Sequence, residues 1–332
     1  MMVYRSAVIG CGKIGSGFAD DPKVKSIYTH AGAYTSCPDT ILVGVCSRDP
    51  GKAERCGRRW NVPGRYTDAR TLLVEQQPEI VSICTPDETH HELIGAALEF
   101  PSVRAILTEK PLAVDLTEGE DLVRRTKERG VVLAVDYSRR YSDRIQTLKD
   151  LIAGGDIGAI QAVHGYYTGG VLHNGTHWFD LARFLIGEMS RVQGIGGRGK
   201  SSPDPTPDAR LEFRDGARGY LHGCDAGAYN IFEMDIVGTL GRAEIRNFGH
   251  TVILSRVHDN PYYSGYRALV QEERWEDGMR DVLLHAVEDL VRCLREGGEP
   301  RCTGHDGVEA LRMGIAVRDS AATGRPVRLG GS

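Results

Sequence analysis

An apolar run, Ser6–Ile9, leads directly into Gly10-Cys11-Gly12-Lys13-Ile14-Gly15, a G-x-G-x-x-G turn within the first fifteen residues. No other feature constrains the fold as much. A strand that ends in such a turn and passes into a helix leaves free N–H groups and the positive end of the helix dipole where an anion can bind. The first glycine permits the turn, the second lets the backbone approach a pyrophosphate, and the third lets the helix lie close on the strand. With 41 glycines in 332 residues the bare motif matches easily by chance. The weight therefore falls on its context: a strand before it and a second apolar run, Ile41–Cys46, about 30 residues on, as a βαβ unit requires.

The runs Ile80–Cys84, Ala105–Leu107 and Val131–Val135 are likewise short and apolar on both faces. Between the runs lie helix-like segments. Pro50–Trp60 and Ala69–Gln76 follow Asp49 and Asp68, which suit N-caps, and Asp87–Phe100 and Thr117–Arg129 are amphipathic. Strand–helix alternation of this kind predicts right-handed crossovers and a doubly wound parallel sheet over residues 1–136. The pattern changes after residue 137. A helix at Asp143–Ala153, a strand at Ile160–Tyr167 and a helix at Thr176–Ile186 precede six closely spaced strand-like pieces: Arg191–Ile195, Arg210–Phe213, Arg218–Gly223, Phe232–Gly238, Ala243–Arg246 and Thr251–Ser255. Ser201–Asp208 is a polar, proline-rich loop, and helices at Gly278–Arg295 and His305–Thr323 follow. Residues 137–332 thus read as an α+β domain with a large, mostly antiparallel open sheet, its final helix packing back toward the first domain. The fold class is α/β, a Rossmann domain followed by that second domain.

The formal net charge of −4 favours neither nucleic acid nor an anionic membrane as a partner. No stretch approaches the roughly 18 apolar residues of a membrane span. The first residues lack the apolar core of a signal peptide, so a cytoplasmic protein is expected. Eight cysteines without a C-x-x-C pair read as reduced thiols, not as a disulfide framework or a zinc site.

The second strand ends Val45-Cys46-Ser47-Arg48. NAD sites usually place an acidic residue here for the ribose 2′-hydroxyl, whereas a hydroxyl and a guanidinium suit a 2′-phosphate, so the reading is NADP ahead of NAD. The alternative is that Arg48 is a solvated surface residue and Asp49 only a helix cap. Thr85-Pro86 ends a strand at the carboxyl edge of the sheet, where open α/β folds bind ligands. Glu109-Lys110-Pro111 does the same one strand later, and the bond before Pro111 can be cis.

These segments, with Thr85-Pro86-Asp87-Glu88-Thr89-His90 and Gly169–Asp180 (GGVLHNGTHWFD), make the chain resemble the glucose-fructose oxidoreductase/inositol dehydrogenase (Gfo/Idh/MocA) family over nearly its whole length. The resemblance implies hydride transfer between nicotinamide and a hydroxyl or keto carbon of a sugar, nucleotide sugar or cyclitol. It assigns Gly10, Gly12, Lys13, Ile14, Gly15, Ser47, Arg48, Thr85, Pro86, His90, Glu109 and Lys110 to the cofactor, with His90 structural in role. Lys110 also holds the substrate and assists proton transfer. His177 is the general base, suited by imidazole chemistry near neutral pH. His173, Asn174, Arg140 and Asp180 fall on the substrate side. Arg140 contacts substrate or braces the domain junction, and Asp180 orients the His177 ring or pairs locally. A homo-dimer or homo-tetramer is implied as well.

The chain departs from the family at two places. Many inositol dehydrogenase-like members carry an aspartate where this chain has His173, which unsettles both the acid–base relay and an inositol-like substrate. Ser16–His30 reads as an insertion that breaks the first helix, overhanging the ligands or forming a surface loop. Three rival readings stand beside the main one. His173 and His177, at i and i+4 with Asp180 or His164, have a zinc-ligand spacing, although no metal is expected. The chain could bind a dinucleotide as a sensor without catalysis. It could also reduce a small keto, diol or imine compound with NADPH.

Overall fold

The computed structural model describes residues 3–198 and 202–330, so Ser201 of the expected Ser201–Asp208 loop lies outside the described residues. Six parallel strands form the first sheet: β1 (Tyr4–Ile9), β2 (Thr40–Cys46), β3 (Gly64–Tyr66), β4 (Ile80–Ile83), β5 (Ala105–Thr108) and β6 (Val132–Val135), in the order β3-β2-β1-β4-β5-β6. The order reverses at β1, so the carboxyl ends of β1 and β4 flank the switch point of a Rossmann sheet. The accompanying helices are α1 (His30–Ser36), α2 (Pro50–Arg59), α3 (Ala69–Gln76), α4 (His90–Ala97) and α5 (Leu116–Arg129). Asp49, Asp68 and Asp115 cap α2, α3 and α5 by accepting backbone N–H groups.

The second region contains α6 (Asp143–Ala153), β7 (Ile160–Tyr167), a π-helical turn at Gly170–Gly175 that runs into α7 (Thr176–Leu185), and strands β8 (Met189–Arg198), β9 (Thr206–Phe213), β10 (Arg218–Gly223), β11 (Phe232–Gly238), β12 (Gly241–Arg246), β13 (Thr251–Asp259) and β14 (Arg267–Trp275). After α8 (Val282–Glu296) and α9 (Gly304–Thr323), β15 (Val327–Arg328) completes a nine-stranded sheet in the order β14-β13-β12-β11-β7-β10-β9-β8-β15. Its pairings are antiparallel except for β7 with β10. The chain divides into two compact units, Met1–Tyr141 with Arg280–Glu309, and Ser142–Met279 with Ala310–Ser332. No helix among the described residues is long and apolar enough to cross a membrane, and all eight cysteines are free thiols.

Several elements differ from the sequence expectation, each for a local reason. Strand β3 is only three residues, Gly-Arg-Tyr, too short to show a period. Strand β14 lies at the sheet edge and is exposed along most of its length, so it carries no apolar alternation. Strand β9 starts at Thr206, inside the expected loop. The segment after Pro86 begins as a single 3-10 turn, Asp87–Thr89, and α4 starts only at His90. Helix α8 begins after Asp281, whose φ of 54° interrupts any helix from Gly278.

In the second unit α7 lies on the inner face of the sheet. Trp178, Phe179, Leu181 and Ala182 are buried with Val163, Tyr167, Leu211, Leu221, Met234 and Ile236. Strand β7 alternates, with Val163, Gly165 and Tyr167 inward and His164 and Tyr166 outward. Gly165 is where α7 comes nearest: a Cβ there would meet Trp178 Nε1 at 2.1 Å. The indole N–H is meanwhile donated to the Glu233 carbonyl at 3.1 Å. Gly165→Ala should therefore force the indole off that bond and lower stability by about 1–3 kcal/mol, read from thermal or urea unfolding. An unchanged midpoint would contradict this packing.

Candidate active site

The three glycines of the first turn have separate steric situations. Gly10 has a φ of 111°, and a Cβ on it would lie 2.3 Å from the Cys84 carbonyl oxygen. At Gly15 a Cβ would lie 1.9 Å from the Gly10 carbonyl oxygen. Around the Cβ direction of Gly12 there is nothing within 4 Å. The outer two glycines thus close the turn on itself and on β4, while the middle one faces open space wide enough for a phosphate to come up to the backbone. Lys13 and Ile14 continue the turn.

The helix after this turn is interrupted, and its hydrogen bonds reconnect across the interruption. After a 3-10 turn at Gly17–Asp20 the chain loops out, then α1 begins. His30 N–H donates to the Ile14 carbonyl at 3.1 Å and Ala31 N–H to the Gly15 carbonyl at 3.0 Å, as residues four further along an unbroken helix would. Thr29 caps the resumed helix through Gly32 N–H. The excursion is held within its own unit: Trp60 Nε1 donates to Ser16 Oγ at 2.9 Å, Arg59 pairs with Asp20, and Ile27 N–H donates to Asp281 at 2.8 Å.

A cleft at the carboxyl ends of β1, β2 and β4 is lined by Ile9, Ser47, Arg48, Asp68, Thr85 and Pro86, among others. Ser47 Oγ accepts from Asp49 N–H at 3.3 Å, and the Arg48 side chain is exposed. The Asp49 carboxylate accepts from Gly51 and Lys52 N–H at 2.8 and 3.2 Å, so it serves as the α2 cap.

Lys110 follows β5, is buried, and has a cis bond to Pro111. Burial pushes its ammonium below its ordinary pKa, against the opposing charges of Glu109, Asp87 and Asp136. The loop is clasped by His90, which is fully buried. Its Nδ1 lies 2.8 Å from the Pro111 carbonyl oxygen and its Nε2 2.9 Å from that of Thr85, tying the two strand-end loops together.

Glu109 points to a group that the sequence reading did not single out. His30 Nε2 lies 3.0 Å from Glu109 Oε1 and 3.9 Å from Asp136 Oδ2, and His30 Nδ1 lies 2.9 Å from Ser82 Oγ. Ser82 is also 2.8 Å from the Tyr34 hydroxyl. His30, Glu109 and Asp136 form the one His/Cys/Asp/Glu trio with ligand-type atoms within 4.8 Å of one another among the described residues. Sheet order explains the meeting, since Ser82, Glu109 and Asp136 belong to or directly follow the neighbouring strands β4, β5 and β6. Burial and the Glu109 charge push Asp136 up to about 8. Burial also opposes ionisation of Glu109, but the His30 hydrogen bond and the charges of His30 and Lys110 outweigh it and hold this carboxyl below its usual value. The pair therefore keeps one proton near neutral pH, on Asp136. The only hint in sequence was positional, an aspartate directly after the last strand of the sheet.

Arg140 is buried in the first unit, where it donates to Asp306 at 3.0 Å and to the Arg301 carbonyl at 3.2 Å. That is a brace between the segment after β6 and the start of α9.

In the second unit His173 lies on the π turn, exposed, and His177 one turn later on α7, half-buried and edge-on to Phe232 at 6.5 Å. Asn174 Nδ2 donates to the Thr168 carbonyl at 2.8 Å, and Asp180 is buried. His164 cannot join a metal set with His177. It stands on the outward face of β7, stacked on Tyr220 at 6.0 Å, whereas α7 packs on the inward face.

Two family models match the chain. One, described as an oxidoreductase family with an NAD-binding Rossmann fold, covers residues 4–137, and the other, the C-terminal alpha/beta domain of the same family, covers 149–329. The chain is similar to a myo-inositol 2-dehydrogenase of Thermotoga maritima, 24% identical over 98% of each chain. It is also similar to an NAD(+)-dependent scyllo-inositol 2-dehydrogenase of Bacillus subtilis, 26% identical over 98% of this chain and 96% of that one. Among solved structures, a putative NADPH-dependent oxidoreductase from Desulfitobacterium hafniense has the same fold, with a TM-score of 0.82 at 23% identity over 99% and 98% of the two chains.

The buried acid pair has a consequence for stability. Asp136 ionises near 4 in the unfolded chain but keeps its proton to about 8 in the fold, so the fold loses stability as pH rises through that window. Glu109, with its lowered pKa, acts in the opposite sense and at more acid pH. Asp136→Asn, neutral at every pH, should match the wild type near pH 4 and exceed it by a margin that grows as pH rises, reaching about 5 kcal/mol at pH 8 in urea unfolding. A difference that does not vary with pH would show Asp136 ionised throughout.

Proposed function

Because the chain belongs to the Gfo/Idh/MocA oxidoreductase family and is a nicotinamide-dependent oxidoreductase, we propose that it oxidises a secondary hydroxyl of a sugar or cyclitol, or reduces the corresponding ketone. The observation that carries this reading is Lys110, a lysine buried at the carboxyl edge of the nucleotide-binding sheet and held below its ordinary pKa. Relatives over nearly the full chain bear the names of dehydrogenases of inositols, D-apiose and levoglucosan, which are all polyhydroxy compounds.

The bound nicotinamide would supply the hydride acceptor or donor at its ring. The chain's own residues have the remaining tasks. Gly12 leaves room for the pyrophosphate in the turn that Gly10 and Gly15 close, with Lys13 and Ile14 in the same turn. Thr85 and Pro86 form the wall beyond β4, and His90 holds that wall to the Lys110 loop. Lys110 donates a hydrogen bond to the reacting oxygen and stabilises the negative charge that grows on it as its proton leaves. His177 is the group proposed to take that proton, and to return it in the reductive direction. His173 and Asn174 are proposed to meet neighbouring hydroxyls. Glu109 acts on the cofactor side indirectly, through its hold on His30 and its charge beside Lys110. A homo-oligomer is part of the proposal by family resemblance.

The residues directly after β2, Ser47 and Arg48, are a hydroxyl and a guanidinium in place of an acid, which supports NADP through the 2′-phosphate. Arg48→Ala should weaken NADP binding by about tenfold, the worth of one charge-assisted hydrogen bond, and leave NAD binding within about twofold. Equal effects on the two cofactors, measured by nicotinamide fluorescence, would remove the preference.

A panel of cyclitols and sugars with NAD and NADP, followed by nicotinamide absorbance, tests the activity. On the best substrate, Lys110→Ala and His177→Ala should each lower kcat by on the order of 10²–10⁴-fold. Wild-type turnover in both variants would rule out these assignments, and cofactor binding with no turnover on any substrate would favour a sensor.

A further inference from the structure

The first N–H groups of a helix have no acceptor within it and need partners from elsewhere. At the π turn that leads into α7, four in succession are all satisfied by three consecutive residues, the last two before β9 and the first of β9 itself. Gly170 N–H donates to Thr206 Oγ1 at 3.0 Å and Val171 N–H to the Pro205 carbonyl at 2.9 Å. Leu172 N–H donates to Asp204 Oδ1 at 2.8 Å and His173 N–H to Asp204 Oδ2 at 2.9 Å. Both carboxylate oxygens are thus spent on adjacent amides, one of them the amide of His173 itself.

The approach is steric as well as electrostatic. Gly169 and Gly170 have φ values of 80° and 90°, and a Cβ on Gly170 would lie 2.0 Å from Asp204 Oδ2. Nothing larger than glycine leaves space for the carboxylate. The loop is stiffened by Pro203, Pro205 and Pro207, and the Tyr167 hydroxyl donates to the Pro207 carbonyl at 2.8 Å. The Asp204 charge also sits where the helix dipole favours an anion. All of these contacts lie within the second compact unit.

We propose that Asp204 is a positioning residue for the reaction, holding the π turn in the form that sets the orientation of His177 one turn later. The proposal rests on the reading of His177 as the proton-handling group. A rigid clamp is warranted there because a displacement of about 1 Å at a reacting group can cost 10²-fold in rate. The residue needs no contact with substrate to exert this effect.

The test uses the full chain with Asp204→Ala, Asp204→Asn, Asp204→Glu and Thr206→Val. Asn keeps one acceptor but turns an NH2 toward the other amide, Glu keeps the charge on a longer arm, and Val removes only the acceptor for Gly170. Asp204→Ala and Asp204→Asn are expected to lower kcat by about 10–100-fold, with KM changed less than kcat and NAD(H) affinity within about twofold. Asp204→Glu should recover part of the rate and Thr206→Val lose only a few-fold. In ¹⁵N-histidine-labelled protein the His177 side-chain signal, identified by its loss in His177→Gln, should move in Asp204→Asn. This readout needs no substrate. Folded Asp204→Asn and Thr206→Val with wild-type kcat and an unmoved His177 signal would overturn the proposal. If His177→Ala abolishes turnover while the Asp204 variants leave kcat intact, the positioning role alone fails. If His177→Ala turns over normally, the functional reading fails, and the His177 signal still decides whether Asp204 orients that ring.

Discussion

The close approach of Gly10, Gly15 and Cys84 is the constraint on which the nucleotide-binding unit depends. A carbonyl oxygen occupies the space a side chain would need at Gly10, and another does so at Gly15. Gly10 N–H is tied back to the Cys46 carbonyl at 2.8 Å and Cys84 N–H to the Ile9 carbonyl at 2.7 Å. The carboxyl ends of β1, β2 and β4 are therefore locked in one register, and every loop that leaves them starts from a defined point. Thr85-Pro86 takes its place from that lock. The Lys110 loop takes its place in turn from β5 beside β4, and from His90 between the two loops.

The same register brings buried charge together. Placing Ser82, Glu109 and Asp136 at adjacent strand ends makes two carboxyls share a closed space with an imidazole and, next in sequence, a lysine. In such surroundings full ionisation of all groups is unfavourable: burial and the Glu109 charge raise the Asp136 pKa, while His30 and Lys110 hold Glu109 below its usual value. Lys110 is thereby surrounded by groups whose charges are mutually dependent. A carboxylate next to a lysine raises its pKa, while burial lowers it, and at Lys110 burial prevails. A lysine in that condition can lose its proton more readily than one on the surface.

What could be read from sequence follows how local each cause is. The glycine turn, the strand ends at Thr85 and Lys110 and the caps at Asp49 and Asp68 depend on neighbours within a few residues, and the sequence shows them. The interrupted helix was visible as an insertion, but its resumption at His30 was not, because the acceptors for that helix lie at Ile14 and Gly15, before the excursion. His30 and Asp136 acquire meaning only through strand order. For Arg140 two readings stand open, and two of its partners, Arg301 and Asp306, are far along the chain. Strand β14 left no mark because an exposed edge strand has no inner face to bury. The spacing of His173 and His177 suggested a metal pair with Asp180 or His164 as third member; of these, His164 lies across the sheet by simple alternation along β7, and Asp180 is buried on α7.

The second unit solves a different problem from the first. Its helix α7 must bury Trp178, Phe179 and Leu181 against the sheet and still hold His177 half exposed. An α-helix started cleanly at Thr176 would leave four amides without partners beside a position proposed to contact substrate. The chain instead starts the helix one wide turn earlier and covers those amides with Asp204, Pro205 and Thr206. π turns are rare and concentrate at functional sites because they cost regular hydrogen bonding. Here that cost is offset by acceptors from a loop stiffened by proline, with glycines at 169 and 170 granting access. Core packing fixes the buried face of α7, and the loop fixes where the helix begins. Together they leave the His177 ring little freedom except rotation about its own side-chain bonds.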